Sequence, residues 1–150
     1  MASKPVDTFP KIEERLNAGR AERWGTNALP CLLRLEAFRG GPLSADLRDF
    51  ALRYGNLNIH PAQIELLGLE GEEPLAVQLT ETQREVWEDM PSRSLVIGRM
   101  YADLFVLHGD DTIGVYDTDF SPQKPPRSRL FPAFSSFLDW LLDLTGDLEY

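Results

Sequence analysis

The stretch SRSLVIGRMYADLFVLHGDDTIGVYDTDF, residues 92–120, carries the strongest structural signal in the chain. Ser94 to Ile97 is apolar, Tyr101 to His108 is apolar and aromatic, and Thr112 to Tyr116 is β-branched and aromatic. Short segments of this composition read as strands. Gly109-Asp110-Asp111 separates the last two, a connection that suits a hairpin. Parallel strands would need a crossover of about a dozen residues, and the spacing leaves no room for one.

Upstream, Thr80-Glu81-Thr82-Gln83 has the form of a capping box. It predicts a short helix with Gln83, Val86, Trp87 and Met90 on one side, closed by Pro91. Before it, Leu57 to Ile59, Gln63 to Leu69 and Leu75 to Leu79 read as strands, with Gly71 to Pro74 as a turn. Residues 42–54 predict a helix capped by Ser44, burying Leu47, Phe50, Ala51 and Tyr54 and stopped by Gly55. A short helix over Leu29 to Phe38 precedes it, with Pro30 in its first turn and Gly40 and Gly41 as the break. Thr8 caps a first helix carrying Phe9, Ile12 and Leu16, ended by Gly19, and residues 1–7 read as a mobile tail. Downstream, SPQKPPRSR (121–129) reads as an exposed loop. A last helix is predicted from a Ser136 cap, with Asp139 completing the S-x-x-D pattern, an apolar stripe of Phe137, Trp140, Leu141 and Leu144, and Gly146 as its end. Helices, then strands, then one helix define an α+β chain of one domain, residues 1–150.

Composition narrows the function. The chain has 150 residues, 43% of them hydrophobic, with 8 Phe, 4 Tyr and 3 Trp, enough to bury a core. No apolar run approaches the ~20 residues that span a bilayer, and the N-terminus shows no apolar signal segment, so a cytoplasmic location without membrane contact is expected. The single cysteine, Cys31, lies among leucines in ALPCLLRLEAF and reads as a buried hydrophobe. The net charge of -9 is uneven: residues 1–64 sum to +2 and residues 65–150 to -11. Phosphate rewards a basic surface, so nucleic acid is a poor partner and a basic protein a good one.

Catalytic signatures are missing. Neither His60 nor His108 sits in a recognisable triad, and each reads as a surface residue. No zinc, EF-hand or phosphate-cradle motif occurs, so no cofactor is expected. Asp110, Asp111, Asp117 and Asp119 flank the predicted hairpin and are the one candidate set for a hard cation, the basis of an alternative reading as a small metal-dependent enzyme. The remaining constellation is acidic and aromatic. Trp87 and Glu88 sit on the short helix. Asp103 interrupts an apolar strand, where a charge must be exposed or paired, with Tyr101 and Tyr116 to flank it. Asp117 and Asp119 alternate at the exit of the last strand. Aromatic anchors ringed by charge are typical of protein interfaces, so Trp87, Glu88, Asp103, Tyr116, Asp117 and Asp119 are the candidate contact residues.

Three segments resemble a known family in that family's order. PLSADLRDFALRYGN (42–56) is similar to the LP-x-x-L/Y-x-x-F-L-x-x-Y-G/N-G helix of the SMI1/KNR4 superfamily, also called SUKH. Residues 92–120 resemble its L-I-P-I-G-x-x-G-x-G-D hairpin with V-Y-x-W-D-H, and SSFLDWLLDL (135–144) resembles its closing S-F-x-E-F-L helix. The chain departs from the pattern where Arg99, Met100, Tyr101 and Ala102 replace glycines, and where W-D-H becomes Asp117-Thr118-Asp119. The resemblance implies an SMI1/KNR4-like fold, an antiparallel β-sheet packed against helices. It also implies an immunity protein that binds and neutralises a cognate bacterial toxin, such as a nuclease or a nucleic-acid deaminase, or else a regulatory interaction module without a toxin.

Overall fold

The computed structural model describes residues 9–23, 28–55, 57–59, 64–69 and 73–146. Its elements run α1 (Phe9–Asn17), β1 (Ala21–Arg23), α2 (Ala28–Arg39), α3 (Ala45–Tyr54), β2 (Leu57–Ile59), β3 (Ile64–Leu66), α4 (Leu75–Val86), β4 (Leu95–Met100), β5 (Asp103–Leu107), β6 (Ile113–Asp117), β7 (Arg127–Phe131) and α5 (Phe134–Gly146). The strands form one seven-stranded sheet in sequence order, and every neighbouring pair is antiparallel. The architecture is α+β, with helices inserted along a continuous meander. No helix among the described residues is long and apolar enough to cross a membrane.

The centre of the sheet is the stretch on which the sequence is most explicit. β5 and β6 pair from Asp103↔Asp117 to Leu107↔Ile113. Their hairpin closes through the Asp111 N–H on the His108 carbonyl, with Asp111 at φ 69°. Successive side chains alternate between faces. Leu95, Ile97, Phe105, Leu107, Ile113 and Val115 join the main core with the helices. Val96, Leu104, Val106 and Tyr116 join a second, smaller core with Trp87, flanked by Leu79 and Met90. Burial on both faces is why these strands read as apolar runs and not as an alternating pattern.

Aromatic and polar pins hold the helices on the first face. Phe50 packs on Phe134 with centroids 4.9 Å apart, and Phe105 meets Phe137 edge-on at the same distance. The buried Arg15 guanidinium donates to Thr145 Oγ1 and to the Leu142 carbonyl, tying α1 to α5. Tyr54 donates to Glu13 Oε1 at 2.6 Å, and burial together with that acceptor pushes its phenol up to about 12.

Several expectations are corrected. Leu75 to Leu79 is the first half of α4, not a strand. A five-residue apolar run fits both periods, and the burial of Ala76, Val77 and Thr80 shows the helical one. Thr80 consequently lies inside the helix. Its hydroxyl donates to the Ala76 carbonyl and accepts the Val96 N–H, so it bridges α4 to β4 and caps nothing. The helix ends at Val86 with Trp87 already extended, four residues before Pro91. Ser44 precedes α3 but makes no side-chain cap; its hydroxyl binds Asp46, which receives the Leu47 and Ser135 N–H groups. Ser136 lies within the first turn of α5, and its hydroxyl donates back to the Ala133 carbonyl. The buried stripe of α5 runs through Phe137, Leu138, Leu141 and Leu142, while Leu144 is exposed. Residues 127–129 belong to β7, although the loop reading took in all of 121–129. Arg-Ser-Arg on an exposed edge has no apolar signature, and β1, with Glu22 exposed, was missed for the same reason. The expected tail, the Thr8 cap, His60, Gln63 and residues 71 and 72 of the expected turn lie outside the described residues.

Candidate protein-binding site

The site is built at the end of the sheet where β5 begins and β6 ends. Antiparallel register sets Asp103 directly opposite Asp117. Side chains so placed are ~5 Å apart at Cβ, and like charges there repel. Asp119 joins them because its N–H binds Asp117 Oδ1 at 2.9 Å in the turn that follows β6. The Asp103 carboxyl is consequently held above its ordinary value, first by desolvation and then by the charges of Asp117 and Asp119. No basic side chain among the described residues forms an ion pair with any of the three.

Two turns meet at this end. The Thr118 N–H and hydroxyl both donate to the Ala102 carbonyl, at 3.0 and 2.7 Å, joining the β4–β5 turn to the segment after β6. Tyr101 occupies the first turn at φ 55°, a conformation that costs free energy for a bulky residue. It is 77% exposed, and Phe120 in the second segment is 82% exposed. Unpaired carboxylates beside two solvent-facing rings form a surface that can desolvate against a partner and select it by charge.

The structure sorts the sequence candidates. Asp103, Asp117 and Asp119 come together, with Tyr101 beside them. Tyr116 and Trp87 do not join them: both are buried, their rings 4.7 Å apart, in the second core on the opposite face. Consecutive residues of a strand point oppositely, so Tyr116 cannot share a face with Asp117. Glu88 is exposed and carries its own partner, Lys124 at 3.5 Å. Phe120 was missed; its only signal was an aromatic following D-x-D, which also reads as a strand exit.

The proposed metal cluster is not assembled. Asp110 and Asp111 lie at the β5–β6 turn, a strand length of roughly 15 Å from Asp117. Asp110 accepts from the Thr112 N–H and hydroxyl, and Asp111 pairs with Arg39 at 2.6 Å. Among the described residues no group of three or more His, Cys, Asp or Glu side chains is placed to hold a metal ion.

His108 is not a surface residue. It is half-buried in a chain of hydrogen bonds of defined polarity. The Thr112 hydroxyl gives its hydrogen to Asp110, so it must accept from His108 Nδ1 at 2.9 Å. Burial lowers the His108 pKa and favours the neutral ring, leaving Nε2 to accept from the Tyr116 hydroxyl at 2.8 Å. Gly114 makes room for this arrangement, since a Cβ there would stand 2.7 Å from the Tyr116 ring and 2.9 Å from the His108 ring. Burial raises the Tyr116 phenol pKa, so this chain orients a tyrosine without activating it.

No family model matches the chain, and no curated protein matches its sequence.

Proposed function

We propose that this protein acts by binding another protein through the acidic end of its sheet, as an immunity protein of the SUKH type. The partner is a toxin domain with a basic surface, neutralised stoichiometrically in the cytoplasm. The observation that carries this reading is the set of three unpaired carboxylates, Asp103, Asp117 and Asp119, framed by exposed Tyr101 and Phe120. A buried-edge carboxylate repelled by two neighbours is a cost in the free protein that a cationic partner relieves on binding. A nuclease or a nucleic-acid deaminase needs a basic cleft for phosphate, and an acidic surface can occupy or border that cleft. The antiparallel sheet packed on helices agrees with the resemblance at the level of architecture, and the resemblance supplies the toxin.

Co-expression with the product of the immediately adjacent gene tests the proposal. Rescue of growth together with a stable co-purified complex is the expected result. A neighbour that is harmless alone and does not bind moves the reading to a regulatory interaction module.

A further inference from the structure

One edge of the sheet, β7, differs in charge from the acidic corner. β7 is the last strand in the sheet order and pairs only with β6, so its outer edge has no strand beside it among the described residues. Arg127, Ser128, Arg129 and Leu130 are all exposed. An open edge of this kind is a template for one more strand.

A bulge makes the edge unusual. Arg129 pairs with Val115 and Arg127 with Tyr116, so two residues separated by Ser128 face two consecutive residues of β6. Val115 and Tyr116 point to opposite faces, and the two arginines therefore straddle the strand, one on each side. Arg129 lies over the Trp140 ring at 5.2 Å on the first face. On the second face Arg127 stands beside the Tyr116 hydroxyl, which is already turned toward His108. There it lines a shallow cavity of about 350 Å³ with Pro91, His108, Asp110, Tyr116 and Leu130, in which the Asp110 carboxylate is already engaged by the Thr112 N–H and hydroxyl. Neither guanidinium has a carboxylate partner among the described residues, although the chain carries a net charge of -9.

From this we infer that β7 is a docking edge for an extended acidic segment of a partner protein, which adds as an eighth strand. Two carboxylates pointing to opposite faces would meet Arg127 and Arg129, the first entering the cavity. A guanidinium holds a carboxylate through two parallel donors, which gives the contact register as well as attraction. Opposite faces require the acids at adjacent positions of the incoming strand, not at alternate ones. A second copy of this chain is the poorer occupant, because antiparallel β7–β7 pairing sets arginine against arginine. This edge begins beside the acidic end, where the Asp117 N–H binds the Pro126 carbonyl, and selects the opposite charge.

The test is a titration of the full ¹⁵N-labelled chain at low salt with three blocked octapeptides of Thr and Val. One carries Glu-Glu, one Glu-Thr-Glu and one Lys-Lys. Saturable shifts are expected on the amides of 127–131 with the Glu-Glu peptide, which should bind about fivefold tighter than the alternate isomer. Arg127→Glu and Arg129→Glu should each weaken it about tenfold while leaving the rest of the spectrum in place. The peptide comparison needs no variant, so it stands even if one of these fails to fold. Absence of saturable shifts on β7, or equal binding of the Lys-Lys peptide, overturns the inference. Concentration-dependent broadening of the same amides without peptide overturns it in favour of a second copy.

Discussion

Asp103 is a carboxylate whose placement works against stability at neutral pH. Its carboxyl is raised by desolvation and by Asp117 and Asp119, so the folded chain holds the proton more tightly than the unfolded one. The stabilising contribution is present below the unfolded value and is lost as pH rises through the folded one. At neutral pH the ionised group therefore destabilises. Asp103→Asn should raise stability by about 0.5 kcal/mol at pH 7, the scale of partly solvated charge pairs, and the gain should vanish near pH 3. Denaturant melts of both proteins at the two pH values check this, and a loss of stability at pH 7 would remove the repulsion from the account. His108 gives the opposite sign. Its pKa is lowered by burial, so the unfolded chain binds the proton first, and stability falls as pH drops below about 6.5. His108→Gln keeps an acceptor for Tyr116 and should flatten the melting temperature between pH 7.5 and 5 relative to the parent. Parallel curves would mean that the ring titrates alike in both states.

At the scale of elements, β3 and β4 pair at Glu65↔Arg99 and Leu66↔Gly98, with the Leu67 N–H on the Ile97 carbonyl beside them, so this short junction depends on close backbone approach. A Cβ on Gly98 would run into the Glu65 carbonyl and the Leu66 side chain. Gly98→Ala should cost about 2–3 kcal/mol by overpacking. Gly109→Ala should be nearly neutral, since its Cβ would meet only the Arg93 Cβ at 3.6 Å. Equal denaturation midpoints for the two variants would show that the sheet yields at this junction. The same elements show what can be read from a sequence. Apolar runs with glycine and aspartate between them located β4, β5 and β6, and helical spacing closed by Gly19 and Gly40 located α1 and α2, because burial imposes those patterns. Leu75 to Leu79 defeated the reading because five residues cannot separate a period of 2 from one of 3.6. β7 defeated it because an exposed edge strand that begins Arg-Ser-Arg shows no apolar alternation. The two acids Asp117 and Asp119 were picked out by strand alternation, but β6 ends at Asp117 and a turn, not alternation, brings Asp119 to it. The aromatic partners of the acid cluster were not legible, because Tyr116 and Tyr101 have the same composition signal and only register places one inside and the other outside.

Across the whole molecule, charge and apolar contact occupy the same end of the sheet, and their contributions to binding should separate by salt. Carboxylates act at a distance and steer encounter, an effect screened beyond ~8 Å at physiological ionic strength. Tyr101 and Phe120 act only in contact and, once buried, resist dissociation. Asp117→Lys combined with Asp119→Lys should weaken the proposed partner complex about 10- to 100-fold at low salt, mainly through slower association, and the deficit should shrink as salt rises. Tyr101→Ala combined with Phe120→Ala should weaken it through faster dissociation by a factor that salt leaves nearly unchanged. Association and dissociation rates measured across a salt series for the parent and both double variants distinguish the two terms. If the charge reversal leaves affinity unchanged at every salt concentration, the acidic end is a solvated rim and the contact surface lies elsewhere. If it acts through dissociation alone, the carboxylates are buried in the interface, and the aromatic pair should then show a coupling with them that exceeds the sum of the separate losses.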